Sequence, residues 1–63
     1  MNKSEQREVS KLKQWHAAGV VDVSTLARSM SALIRAAMTN RSKIELSRVA
    51  AELKCDKHYD FIV

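Results

Sequence analysis

The chain contains no proline, one glycine (Gly19), one cysteine (Cys55) and three aromatic residues, Trp15, Tyr59 and Phe61. Each scarcity excludes something. A strand-rich fold of this length needs more turn residues than one glycine supplies. A disulfide framework is impossible, because Cys55 has no partner within the chain. A single unpaired thiol suits a reducing compartment such as the cytosol. No apolar run approaches the roughly 20 residues of a membrane span. The opening residues Met1 to Gln6 lack a hydrophobic core of the signal-peptide kind. The expectation is a cytoplasmic protein, in no contact with a membrane.

What is abundant is Ala, Leu, Lys, Arg, Glu and Ser, most of them good helix formers. Sixty-three residues form one domain at most. A chain this short buries only about 60% of its extended surface, so its own core is marginal. With disulfides excluded, oligomerisation is the stabiliser that remains. The composition therefore predicts an all-α fold: a two- to three-helix hairpin-like protomer that forms a homodimeric helical bundle.

The net charge of +4 is unevenly placed. Residues 1–22 carry four basic and three acidic groups, and residues 44–63 carry three basic and four acidic groups. Val23 to Lys43 contains Arg28, Arg35, Arg41 and Lys43 with no acid. Such a segment attracts an acidic protein face or a phosphate backbone. A solvated basic face that keeps the protein in solution explains it equally well.

The periodicity predicts three helices, over about 3–18, 23–39 and 43–54, followed by a C-terminal tail, 55–63. Asn2 is the expected N-cap of the first helix, with Glu5 completing a capping box. Gly19 falls where a helix C′ residue sits. Val9, Leu12, Trp15 and His16 share one face. Asp22, favoured over Ser24, caps the second helix. The second helix is the strongest pattern. Leu26, Met30, Leu33 and Ala37 form a heptad-like seam, widened by Val23, Ala27, Ile34 and Met38. That face is broader than one neighbouring helix covers, which is the main reason to expect self-association. Leu12, Trp15, Leu26, Met30, Leu33, Ile34, Ala37 and Met38 are the expected core and dimer residues.

Thr39 to Ser42 is ambiguous. At about 100° per residue, the stripe of the second helix and the stripe Leu46, Val49, Ala50, Leu53 are centred roughly 140° apart. Either the chain breaks near Asn40, or one long helix is buried on different sides in two places; the phase favours a break. Ser42 with Glu45 resembles a fresh capping box there. Ile44 lies off the stripe of the third helix. The apolar end of the tail needs a surface to dock on, its own core or a partner.

Few motifs carry chemistry. Cys55-x-x-His58 supplies one pair of metal ligands, where a structural zinc needs four. A catalytic Cys–His pair needs an activated thiolate and an orienting third group in a pocket. Neither condition is met, so no enzyme activity, metal or cofactor is expected. Leu46 to Lys57 reads like the first helix and turn of a helix-turn-helix, but the six residues that follow are too few and too apolar for a recognition helix. DNA binding is the alternative reading, through the basic segment 28–48 and phosphate contacts from Arg28, Arg35, Arg41, Lys43 and Arg48. Tyr59 and Phe61 either pack with Trp15, the favoured reading, or form an exposed protein-binding patch. The candidate partner-binding residues are Arg28, Arg35, Arg41, Tyr59, Phe61 and Ile62.

The stretch from Lys11-Leu12-Lys13-Gln14-Trp15-His16-Ala17-Ala18-Gly19-Val20 through Val21-Asp22-Val23-Ser24-Thr25-Leu26-Ala27-Arg28 to Met38 resembles a small open-reading-frame protein of lambdoid bacteriophages. That protein is encoded between the exonuclease and excisionase genes (the exo-xis region) and is of similar length. The resemblance spans essentially the whole chain. It implies an early phage protein acting in the host cytoplasm, from a region that favours lytic over lysogenic development and disturbs the host cell cycle. It fits an all-helical dimer that binds a host or phage protein, and it assigns no catalytic or binding residues.

Overall fold

The computed structural model describes all 63 residues and contains three α-helices and no strand. They are α1, Lys3–Ala17; α2, Val23–Ala36; and α3, Asn40–Glu52. No helix is long and apolar enough to cross a membrane.

Local chemistry sets each boundary. Asn2 and Glu5 form the expected capping box: the Glu5 N–H donates to Asn2 Oδ1 (2.8 Å) and the Asn2 N–H to Glu5 Oε1 (2.9 Å). α1 ends in a Schellman motif. Gly19, at φ +74°, donates to the His16 carbonyl (3.1 Å), and Val20 donates to that of Trp15 (2.8 Å). Asp22 caps α2, its Oδ1 accepting from the Thr25 N–H at 2.8 Å.

The chain does break between the second and third helices, but earlier than the residue types indicate. α2 stops at Ala36, not 39, because Ala37 turns to an extended conformation (φ −63°, ψ 134°). Thr39, not Ser42, caps α3; its Oγ1 accepts from the Ser42 N–H at 3.1 Å. Ser42 is instead inside α3, buried, with its hydroxyl donating to Glu5 Oε1 (3.1 Å). α3 ends two residues before the expected Lys54. There Lys54 adopts φ 61°, donating to the Ala51 carbonyl, while Cys55 donates to that of Ala50, both at 3.1 Å. This is a second Schellman motif, with lysine where glycine is usual.

α2 lies between α1 and α3. Leu26, Ala27, Met30 and Ile34 of α2 are buried against Val9 and Leu12 of α1, Leu46, Val49 and Ala50 of α3, and Ala37 and Cys55. Leu33, Leu53, Met1 and Phe61 pack on this cluster while remaining partly exposed. The breadth of the α2 face is thus covered within the protomer, by two helices and the tail. Three residues expected on the buried face are not enclosed. Met38 is 90% exposed, because it sits in the three-residue connection after the helix has ended. Trp15 is 44% exposed, at the last turn of a helix that buries only Val9 and Leu12. Val23, in the first turn of α2, is also exposed.

The tail docks on its own chain. The Ile62 N–H donates to Ser31 Oγ (2.9 Å), and that hydroxyl donates to the Ala27 carbonyl (2.8 Å), so Ser31 is buried but satisfied. The Ser24 hydroxyl donates to Asp60 Oδ2. The Asp60 N–H donates to His58 Nδ1 (3.1 Å). Asp60 and Ile62 are thereby tied to Ser24 and Ser31, seven residues or about two turns apart along one edge of α2.

Candidate interaction site

Once the core is closed, part of the apolar surface left over gathers along α3. Ile44 lies off the buried stripe of α3, at 55% exposed. It lines an open groove of about 450 Å³ together with Ile34, Lys43, Ser47, Arg48, Ala51 and Val63. The α3 members recur every three or four residues, so they form one ridge of that helix. Ile34 comes from the end of α2, and Val63 is placed by the docking of the tail through Ile62 and Ser31. A second depression, lined by Arg41, Ile44, Glu45 and Arg48, shares Ile44 and Arg48 with the first.

The charges around the groove are unequal. Neither Lys43 nor Arg48 has an ion-pair partner. Glu45, the acid on this side of α3, accepts from the Met1 amine at 2.9 Å and pairs with Arg41 Nε at 3.4 Å. The hydrogen bond from that amine, with its charge and that of Arg41, holds the Glu45 carboxyl below its ordinary range. The carboxylate is therefore already engaged, and the groove keeps a net positive rim.

The sequence-predicted site residues divide accordingly. Arg41 stands beside the groove, with a side chain almost fully exposed. Arg28 belongs to a different cluster, reaching Ser24 Oγ at 3.4 Å next to the tail. Arg35 is exposed and lines neither depression. Phe61 packs against the core and stays partly exposed. Tyr59 is 84% exposed and stacks on the His58 ring at 4.4 Å rather than on Trp15, its expected partner. Ile62 is exposed and anchored through its N–H. Ile44, Ser47, Ala51 and Val63 were not singled out by residue type. The signal for Ile44 was present: a large apolar residue outside the stripe of its own helix.

Elsewhere the chemistry is sparse. No three His, Cys, Asp or Glu side chains stand close enough together to hold a metal ion. Cys55 is fully enclosed with Sγ 3.5 Å from the Ala50 carbonyl, and burial pushes its thiol up from the usual range. A raised, enclosed thiol is a poor nucleophile. No protein-family model matches the chain, and no curated protein or solved structure matches it.

Proposed function

We propose that this chain is a non-enzymatic helical interaction module that binds a protein partner through the α3 groove. The observation that carries this reading is the groove itself, an apolar floor around Ile44 with unpaired cations at its rim. An exposed apolar surface of this kind is a recurrent mark of protein recognition. The test is capture of binding proteins from bacterial lysate on wild type and on the Ile44→Asp variant. A partner held through the groove is lost with Ile44→Asp and retained by a Tyr59→Ser control. Identical captures from wild type and Ile44→Asp remove the groove from the reading.

The same reading includes a homodimer. Its support is the small size of the core and the apolar residues Trp15, Val20 and Val23 left exposed around the α1–α2 connection. Light scattering that shows a compact monomer at micromolar concentration removes the dimer. On the sequence resemblance alone, the setting is the cytoplasm of a phage-infected bacterium, and the partner a host or phage protein that biases lytic against lysogenic development.

A small DNA-binding regulator is the second reading, favoured by one observation. α3 follows α2 after only three residues and carries Arg41, Lys43 and Arg48 among its exposed side chains. Phosphate-driven binding to random duplex DNA weakens steeply as salt rises. No binding at low salt eliminates that reading.

A further inference from the structure

Building on the interaction-module reading, we propose that the α3 groove takes an acidic amphipathic helix of the partner protein. The shape argues first. The ridge from Lys43 to Ala51 extends about 12 Å at 1.5 Å per residue, a little over two helical turns. Ile34 and Val63 close it on the side of α2 and the tail. An open strip of that length, with Ile44 and Ala51 on α3 and Ile34 and Val63 along one side, matches a helix presenting apolar residues at i, i+3 or i+4, and i+7.

The charge argues second. Lys43 and Arg48 line the groove without ion-pair partners, and the nearby carboxylate of Glu45 is already held by the Met1 amine and Arg41. An occupant with Asp or Glu beside its apolar stripe places opposite charge on both cations, which gives specificity and speeds encounter. A second copy of this chain fits less well. An isologous contact on this face brings Lys43 and Arg48 close to their own counterparts, and like charges oppose it. The self-contact of the proposed dimer therefore belongs elsewhere. Nucleic acid also fits less well, because phosphates offer nothing to the half-exposed Ile44.

The experiment is selection, on the full chain, from a displayed library of amphipathic helices with random residues flanking a fixed leucine stripe. Acid-rich flanks should be enriched. A selected peptide should bind Ile44→Asp at least tenfold more weakly, with circular dichroism confirming that this surface substitution leaves the fold intact. Arg48→Glu combined with Lys43→Glu should lose the acidic peptide by tenfold or more, and a lysine-for-glutamate version of the peptide should restore binding to that variant. Basic or uncharged binders that are lost with Ile44→Asp overturn the acidic chemistry and leave the interaction module standing. No groove binder of any charge, together with salt-steep DNA binding lost on Arg48→Glu, overturns both. A wild-type dimer dissolved by Ile44→Asp assigns the groove to a second copy and also overturns the proposal.

Discussion

α1 and α3 flank the same central helix and are held to it by different means. α1 has 15 residues and buries two side chains, Val9 and Leu12. α3 has 13 residues and buries four, Ser42, Leu46, Val49 and Ala50. Much of what keeps α1 in place is polar and near its N-terminus: the Glu5–Ser42 hydrogen bond at 3.1 Å and the Met1–Glu45 pair at 2.9 Å. Its other end, near Trp15, is loosely covered. Helices of similar length thus differ in anchoring because apolar burial, not helix propensity, supplies most helical stability in a fold. The sub-structure α2–α3–tail is the robust part, and α1 is a strap across it.

The largest expected effect tests that difference directly. Leu46→Ala should cost about 3–5 kcal/mol and Leu12→Ala about 2–3 kcal/mol, since a cavity under α3 is enclosed while α1 can settle inward. Urea denaturation measures both, and equal losses erase the distinction. Amide hydrogen exchange should next show α1 opening at lower free energy than α2 and α3, as expected of a unit with few buried contacts. Uniform protection across the three helices contradicts it. Ser31→Ala should cost about 1–2 kcal/mol by leaving the Ile62 N–H without its acceptor. The loss should appear as faster exchange in residues 59–63, with α1 unchanged.

The smallest effect is acidic. The backbone N–H of Thr25 holds the Asp22 carboxyl below its ordinary 3.8, and the Met1 amine holds Glu45 below its ordinary 4.5. Both groups are lowered on folding, so their contribution is complete above those ordinary values and is lost as pH falls towards the folded ones. Thermal stability should decline below about pH 4.5. Glu45→Gln should flatten that decline and remove any preferential loosening of α1 in acid. A decline unchanged in Glu45→Gln assigns it to other carboxylates.

Residue patterns reveal the parts of this fold that depend on local chemistry. Asn2 with Glu5, Gly19 and Asp22 are each a side chain or backbone freedom placed where a helix end needs it, and each acts as its type implies. The face of α2 was legible in outline, because a period of 3.6 leaves little choice, but the expected Leu26–Met30–Leu33–Ala37 seam is displaced: Ile34 is buried and Leu33 stays partly exposed. Features set by other parts of the chain were not legible. Ser42 looks like a cap, yet Glu5, 37 residues away, draws its hydroxyl into the interior. Lys54 carries no mark of a left-handed residue; it takes that conformation because Cys55 is drawn into the core behind it. Ser31 reads as a polar interruption, and its use appears only when the tail supplies a donor. The groove was half legible, since Ile44 fell off its stripe but the approach of Val63 depends on that same tail.

The tail's hold on α2 also bears on how the chain reaches this structure. Its two contacts join residues 36 and 31 positions apart, Ser24 to Asp60 and Ser31 to Ile62. Such long-range closures come late in folding, after nearby helical contacts have formed. During synthesis, therefore, α2 has to wait for residue 62 before its buried edge is sealed. A chain carrying only the helices leaves uncovered the part of the core that Phe61 packs on. Final closure, and with it the wall of the groove that Val63 provides, needs residues 60–63 in place.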